Sequence, residues 1–482
     1  MRRSILKLLA QQTFDHTLKS TSSKWLILLF NSLFIFALLA AYTDLTQHQK
    51  TVEHYRQEVR ERWENNPDKH PHRMAHYGYL AFRQKSPLSF FDYGMDSYLG
   101  NAVFLEAHRQ NTINFSEASL SNGLLRFGEI SAALLLTLLV PLLLFFWGFA
   151  LLAGEREQGT LRLLLAQGIN WSELILGRTL GLFYLSLTLF LPAMLLTFLL
   201  LLFSTSMLSI TGIFLSYVML FFVYLVYLFV ISLLAVWISA ISATSKAALV
   251  QLIACWLAFT LLLPKLSQLA GQAFFPSPSK IAFDTAIDHE LIQHGDSHDP
   301  DDPYFNALKD SLLTTYQVKT TKELPFNYGG FVMREGEKIS TEIFRRHQAQ
   351  LMEQYQLQQA MVRWTAFLNP YIAIKKLSMA FSGTDFLAYR HFQDQAEHYR
   401  YQLAQGMNNL QIEHVSNHAK GSSDKRAAIS HQHWLDFPDF EQNFLSFTQI
   451  VRHEIVSILG LCSWLVVLLG FTFFRTKSLK AF

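Results

Sequence analysis

Histidines and carboxylates are the residues of this 482-residue chain whose spacing comes closest to enzyme chemistry. His289-Glu290 is followed by His294. A zinc-protease helix needs its second histidine four residues after the first, so that both imidazoles project from one face. Here the second histidine comes five residues later, and Gln293 occupies the position that a ligand would need. The spacing therefore argues against metalloprotease chemistry.

Other histidines and acidic residues are grouped in polar stretches. The groups are His294, Asp296, His298, Asp299, Asp301 and Asp302; His414 and His418; and His70, His72 and His76. Imidazole and carboxylate suit zinc or copper, but no group has the ligand spacing of a closed site. We expect these side chains to occupy turns or cap helices, and we expect neither catalytic nor metal residues. Metal binding without catalysis remains an alternative.

A second charged group, Glu155-Arg156-Glu157, directly follows an apolar run. Two carboxylates so close to hydrocarbon are costly unless they are solvated, paired or bound to something. Gly159-Thr160 can interrupt the helix, and Leu161 begins a short leucine-rich helix that includes Leu164. This pattern suits a mechanical lever that a partner pushes. The alternative is an ordinary helix end at the membrane interface, with Arg156 paired to a neighbouring carboxylate.

The composition places these residues in a membrane protein. Hydrophobic residues make up 51% of the chain and charged residues 16%, and the mean hydropathy is +0.19. These values lie outside the range of ordinary soluble domains. The formal net charge of +3 is too small to favour a nucleic-acid partner. Cys255 and Cys462 both lie in apolar runs, so we expect no disulfide-stapled external domain.

Six stretches are long enough to cross a bilayer, which takes roughly 20 mostly apolar residues per helix. They are residues 24–43, 127–153, 174–203, 210–240, 246–268 and 450–474. Residues 1–23 precede them without the apolar region of a signal peptide, and are predicted to form a retained interfacial helix. In that helix Ile5, Leu8 and Leu9 are expected to face lipid.

Basic residues in the short flanks predict the orientation, because Lys and Arg are held on the cytoplasmic side. They are Arg2, Arg3, Lys7, Lys19 and Lys24; Arg156, Arg162 and Lys246; and Arg475, Lys477 and Lys480. Six spans put all of them on one side. The connectors 154–173 and 241–246, the N-terminus and the tail 475–482 are then cytoplasmic. The long polar segments 44–126 and 269–449 are then periplasmic. Membrane lipid is expected to surround the spans.

Both long polar segments carry helical patterns. In the first, Val52, Val59 and Trp63 repeat at helical spacing, as though the first span continues outward. The second has two amphipathic stretches, marked by Ile339, Ile343, Leu351, Tyr355 and Val362 and by Phe392, Ala396, Tyr399 and Leu403. Asn369-Pro370 separates the two and suggests a helical hairpin. The predicted fold class is an all-α polytopic membrane protein with a mostly helical periplasmic domain.

The connector at 154–173 also resembles a known signature. EREQGTLRLLLAQG at 155–168 is similar to the segment between the second and third spans of ABC-2 type transporter permeases. The closer resemblance is to a bacterial subfamily with enlarged periplasmic loops. The segments that carry it are HPHRMAHYGYLAFRQKSPLSFFDYGMDSYLGNAVFLEAHR at 70–109, NYGGFVMREGEK at 327–338, LNPYIAIKKLSMAFSGTDF at 368–386 and FQDQAEHYR at 392–400.

The resemblance implies a permease subunit in a bacterial inner membrane. Such a subunit pairs with a second permease, identical or related, and with two cytoplasmic ABC ATPase subunits. The coupling residues that it implies are Glu155, Arg156, Glu157, Gly159, Thr160, Leu161 and Leu164. The chain has no G-x-x-x-x-G-K-[ST] phosphate loop, so we expect it to bind no cofactor, with ATP and Mg²⁺ held by the partner ATPase.

A metal-handling permease remains an alternative, and two other classes also stay open. In one, the complex transports nothing and transmits force to a periplasmic or envelope partner. In the other, the protein is a membrane enzyme, which requires converging ligands or a nucleophile beside a base. The sequence assembles neither of these, so a transporter subunit that is not itself an enzyme is the favoured interpretation.

Overall fold

The computed structural model describes residues 1–111, 129–204, 210–295, 297, 299, 301–419 and 422–474. It is 76% helical with almost no sheet. The predictions made for Asp296, His298, Arg475, Lys477 and Lys480 lie outside the described residues.

The described part of the chain contains sixteen helices, which are numbered here in chain order. They are α1 (Arg3–Lys19), α2 (Thr21–Glu64), α3 (Pro71–Tyr77), α4 (Ala132–Glu157), α5 (Thr160–Ala166), α6 (Trp171–Phe203), α7 (Ile210–Ile241), α8 (Ser245–Phe274), α9 (Lys280–His294), α10 (Pro303–Tyr316), α11 (Tyr328–Trp364), α12 (Pro370–Ser382), α13 (Phe386–His414), α14 (Gln432–Leu435), α15 (Phe447–His453) and α16 (Ile455–Phe474). Single 3₁₀ turns occur at Thr321–Glu323, Thr365–Phe367 and Lys425–Ala427.

Six helices in the described part of the chain are long and apolar enough to cross a membrane, namely α2, α4, α6, α7, α8 and α16. This confirms the predicted fold class. Pro141 and Pro264 each come just after a π-helical turn, at Leu135–Leu139 and Ala258–Leu262. The wider turn accommodates the proline ring and its missing N–H, so both spans continue beyond the proline.

The six spans are unequally enclosed. Half or more of the most apolar stretch of α4 and α7 is buried, whereas only 11% of that of α8 is. The core between α4, α6 and α7 consists of fully buried leucines and aromatics such as Leu144, Leu185, Phe190 and Leu228. The apolar surface of α8 is therefore left for lipid or another chain.

The two long polar segments fold together into what we call the polar domain. α2 has 44 residues, so it spans about 66 Å and extends well past a hydrocarbon core of about 30 Å. Trp63, near its outer end, is 1% exposed and donates its Nε1–H to the carbonyl of Trp434 at 3.0 Å. The first and second segments thus share one core.

A helical hairpin does form in the second segment, but it is interrupted. α11 and α13 pack against each other, as the two amphipathic patterns predict. Between them, Asn369-Pro370 starts a third helix, α12, which packs against the spans α7 and α16. The prediction treated 369–370 as a simple separator and missed this helix. Residues 370–374 and 377–382, nearly all of α12, are buried, so it forms a wedge between the polar domain and the spans.

A short β-hairpin was also not predicted. β1 (Tyr79–Phe82) pairs antiparallel with β2 (Ala102–Leu105), with Tyr79 opposite Leu105. Four residues are too few for the alternating pattern to stand out in a sequence. The hairpin closes one side of the polar-domain core.

Candidate functional site

The predicted coupling residues lie on a sharply bent connector between α4 and α6. Two glycines with left-handed backbone, Gly159 (φ 77°) and Gly168 (φ 81°), bracket the short helix α5. Nothing lies within 4 Å of a Cβ built at either glycine, so backbone conformation, not space, favours glycine there. α6 then starts with a capping box, in which Asn170 and Glu173 exchange hydrogen bonds.

The carboxylate of Glu155 has its ionic partner within the same chain. It forms an ion pair with the guanidinium of Arg178 on α6. The two side chains are 18% and 6% exposed, so the pair is shielded from solvent. Arg178 also donates to the hydroxyl of Thr13 on α1, at 3.0 Å. One carboxylate therefore joins α4 to α6 and, through Arg178, to α1.

Arg156 reaches a different span. Its guanidinium donates to the carbonyl oxygen of Ala240, at 2.7 Å, and to that of Ser242, both at the end of α7. The last carbonyls of a helix have no partner within the helix and carry the negative end of its dipole, so an arginine there is favourable. In the described residues Arg156 therefore bonds to carbonyl oxygens and not, as the alternative interpretation expected, to a carboxylate. The rest of that alternative, an ordinary helix end at the membrane interface, stays a prediction.

Glu157 contacts the next span. Its carboxylate accepts a hydrogen bond from the hydroxyl of Ser245, the first residue of α8, at 2.6 Å. Glu157 is exposed, so this contact is the weakest of the three. The triplet as a whole bonds to α6, α7 and α8, one span per residue.

A serine that the sequence did not single out completes the junction. The Oγ of Ser239 on α7 accepts from the backbone N–H groups of Leu152 and Ala153, at 3.0 and 3.1 Å, and donates to the carbonyl of Phe149 at 2.8 Å. These are the backbone groups that a turn within α4 leaves without helical partners. A buried serine in an apolar run gives no periodic signal, which explains why it was missed.

Residues outside the triplet form most of the outward face of the connector. Leu161 is completely buried and Leu164 packs against the span core, whereas Leu163 is 63% exposed. Thr160 is also exposed and donates to the carbonyl of Glu155 at 3.1 Å. The remaining exposed residues of the connector are Gln158, Arg162, Ala166, Gln167, Gly168 and Asn170. Of the seven predicted coupling residues, only Glu157 and Thr160 are exposed.

The N-terminal helix lies beside this site. Arg2 forms an ion pair with Glu173 of α6 at 2.7 Å. Leu9 packs directly on Gly177, where an added Cβ would come within 2.6 Å of the Cβ of Leu9. Leu8 is 66% exposed, but Leu9 is 2% exposed. The expectation that Leu9 faces lipid is therefore wrong, because α1 docks on α6 through a glycine.

The histidines of the second polar segment form no common centre in the described residues. Glu290 accepts from the Nε2 of His347 at 2.7 Å and pairs with Arg346, so it is held by α11. The imidazole of His414 stacks on that of His433, with centroids 4.7 Å apart, rather than meeting His418. His418 lies 3.5 Å from the hydroxyl of Ser416.

The acidic loop residues take turn and cap positions. Asp302 accepts from the N–H of Phe305 at 3.1 Å and caps α10, and Asp299 accepts from the N–H of Asp301 at 2.9 Å. In the first polar segment, His70 caps α3 by accepting from the N–H of His72 at 3.1 Å. His72 and His76 both lie within that helix.

Comparison with known proteins adds one finding. Residues 280–443 match the family model described as a domain of unknown function, DUF3526. No curated protein matches the chain. The matched region runs from α9 to a point beyond α14, within the polar domain, and does not include the connector. It assigns no activity.

Proposed function

We propose that this chain is the permease subunit of an ABC-2 type transporter, in which separate ATPase subunits drive rearrangement of the spans. The observation that carries the proposal is the connector at 154–173. Its triplet bonds to three spans while the neighbouring helix α5 presents an exposed face. The resemblance of 155–168 to the coupling region of these permeases and the six-span fold support the same proposal.

The contacts divide the connector into a receiving face and a transmitting triplet. The receiving face is the exposed set Gln158, Thr160, Arg162, Leu163, Ala166 and Gln167. Closure of the ATPase pair on binding ATP pushes this face. Because Glu155 and Arg156 are bonded to α6 and α7, the displacement reaches both spans at once. The two glycines hold α5 at a fixed angle to them.

We place the connectors and the N-terminus on the cytoplasmic side of a bacterial inner membrane, and the polar domain in the periplasm. The ion pair of Arg2 with Glu173 and the bond of Arg156 to Ser242 support a common end of the bundle for α1 and both short connectors. The basic residues of these segments then lie together, as the positive-inside rule requires.

Two kinds of partner follow from the proposal. ATP and Mg²⁺ are held by cytoplasmic ABC ATPase subunits, and this chain binds no cofactor itself. A second permease subunit, identical or related, covers part of α8. Val250, Leu257 and Leu261 are 67%, 43% and 51% exposed there, so this face is open to a second subunit or to lipid. Lipid surrounds the remainder.

A second candidate is transmission of force to a periplasmic partner without translocation. It is favoured by the way the polar domain is fixed to the spans. α2 passes from the bundle into the polar domain as one helix, and the buried wedge α12 packs against α7 and α16. The hydroxyl of Tyr224 on α7 donates to that of Ser378 on α12 at 2.9 Å. Movement of α7 would therefore reach the polar domain directly.

Co-purification tests the shared element of both candidates, the ATPase. The affinity-tagged chain is extracted from its native membranes in mild detergent, and bound proteins with a G-x-x-x-x-G-K-[ST] motif are identified by mass spectrometry. We expect such a subunit to be retained. Leu163→Asp should abolish its retention, because it places a charge on the receiving face.

Leu435→Asp is the matched control, since Leu435 is 52% exposed on α14 in the polar domain. It should retain the ATPase fully. Isolation of the intact chain without any such subunit, or equal retention by both variants, would show that the proposal is wrong.

A further inference from the structure

Two histidines of one helix meet a third that is distant in sequence on the polar domain. His72 and His76 belong to α3, and His108 follows β2. Their rings lie 4.6 to 5.7 Å apart between centroids, and one nitrogen from each lies within 4.8 Å of the others. We propose that His72, His76 and His108 form a binding site for a divalent transition-metal ion of the zinc class.

α3 holds two of the ligands on one face. Residues four apart in a helix project in nearly the same direction, so His72 and His76 can reach one ion together. His70 caps the start of the helix, with Pro71 as its first residue. Met74, on the opposite side, is completely buried in the polar-domain core. The pair is therefore carried by a short helix whose position is fixed.

His108 is held in an unusual conformation that turns it towards α3. Its φ of 60° is left-handed, which is uncommon for a residue with a side chain. The N–H of Ala107 donates to the carbonyl of Ala75 at 3.2 Å, which ties the loop to α3. The backbone N–H of His108 donates to Glu337 at 2.8 Å. These bonds compensate for the strained backbone and fix the third ligand.

Glu337 also orients the ring of His108. Its carboxylate lies 3.1 Å from Nδ1, so an Nδ1–H donated to Glu337 presents Nε2 for a metal. A carboxylate that receives the second ring N–H of a histidine ligand is the usual support in zinc sites.

Glu337, which supports His108, is itself held by a buried arginine. Arg400 is 1% exposed and donates to Glu337 at 2.6 Å. The same guanidinium donates to the carbonyl of Glu106 at 3.2 Å, two residues before His108. The carboxylate of Glu397 fixes Arg400 at 2.8 Å on its other side. A network of one guanidinium and two carboxylates therefore positions His108 from behind.

The ligand set selects the class of ion. Imidazole nitrogen suits Zn²⁺, Cu²⁺ and Ni²⁺, whereas Mg²⁺ and Ca²⁺ require oxygen ligands. Three protein ligands leave one tetrahedral position for water or a further donor. His76 is exposed, and His72 and His108 are half-buried, so an ion can enter from solvent.

A second cluster of potential ligands lacks these properties. Asp385, His453 and Glu454 also lie within 4.8 Å of one another. However, Arg363 places its Nη1 at 3.1 and 2.8 Å from the two ring nitrogens of His453. A fixed positive charge against the imidazole opposes a cation, so we assign no metal to this cluster.

The test uses the purified full-length chain in detergent, with a tag free of histidine that is removed before measurement. Apo protein is titrated with Zn²⁺ against a chromophoric chelator of known affinity, and Co²⁺ is added separately to record its visible d–d absorption. We expect one tightly bound equivalent and the absorption of a low-coordinate cobalt site. His76→Ala should weaken Zn²⁺ binding at least about tenfold, because it removes an exposed ligand without disturbing the core.

Glu337→Gln should weaken binding by about 10-fold to 100-fold through loss of the support to His108. His433→Ala is the matched control, because it removes one ring of the His414 pair and should leave the affinity unchanged. Unchanged binding by His76→Ala, or equal weakening by His433→Ala, would overturn the site. The outcome does not depend on the proposed permease function, because no ATPase is present.

Discussion

Among single residues, the charges of the triplet decide how the connector can work. Two carboxylates beside hydrocarbon are costly unless they are solvated, paired or bound to something. The partners of Glu155 and Arg156 lie within the chain, on Arg178 and on the end of α7. The triplet is thus better suited to passing a displacement between spans than to docking on another protein.

The ion pair between Glu155 and Arg178 predicts a large loss of stability when one partner is neutralised. Glu155→Gln leaves the guanidinium of Arg178, 6% exposed, without its counter-charge. Breaking such a pair costs about 3 kcal/mol, so the thermal midpoint of the purified chain should fall by several degrees. Glu157→Gln, at an exposed position, should cost less than about 1 kcal/mol. Equal shifts for the two variants would contradict the assignment of the buried pair.

At the scale of elements, the docking of α1 on α6 depends on small residues. Gly177 and Gly181 lie one turn apart on α6 and receive Leu9 and Thr13. Close approach of helices at such positions is the usual way in which membrane helices associate. α1 is therefore part of the bundle near the connector rather than a separate helix on the membrane surface.

Gly177→Val is predicted to release α1, because the new side chain would overlap Leu9. The readout is maleimide labelling of Ala10→Cys in a background without Cys255 and Cys462, since Ala10 is 2% exposed. Labelling should be slow in the parent and fast with Gly177→Val. Gly470→Val is the control, because a Cβ at Gly470 meets nothing within 4 Å. Slow labelling in both variants would rule out this packing.

The elements also show what the sequence could reveal. The six spans follow from long apolar runs, and the amphipathic repeats of α11 and α13 show as a 3.6-residue period. α12 could not be recognised in this way, because it is short and buried nearly all round and so has no polar face to mark it. Two members of the histidine cluster, His72 and His76, are close in sequence, but His108 joins them through tertiary contacts. These are its own bond to Glu337 and the bond of the neighbouring Ala107 to Ala75.

At the scale of the whole molecule, the contacts form a continuous path from the connector to the polar domain. The triplet bonds to α7, α7 packs on α12, and α12 lies at the base of the polar domain. Ser378 of α12 donates to Asp92 of the first polar segment, which joins both polar segments to this path. Such a path serves gating of a substrate and transmission of force equally well.

A second permease on α8 predicts a specific cross-link. Val250→Cys, in a background without Cys255 and Cys462, places a thiol on a span residue that is 67% exposed. If two identical copies pair there, a short bifunctional maleimide should link them in native membranes and give a dimer band. Val466→Cys on α16, 68% exposed, should not. Equal cross-linking at the two positions would indicate random collision rather than an interface.

We propose that the connector receives work on one face and transmits it through the triplet. Retention of the ATPase and stimulation of ATP hydrolysis, measured in the same preparations of two variants, test this claim. Leu163→Asp should lose both, whereas Arg156→Gln should retain the ATPase and lose most of the stimulation, because it removes the ionic cap on α7. Full stimulation with Arg156→Gln, at normal retention of the ATPase, would contradict the claim.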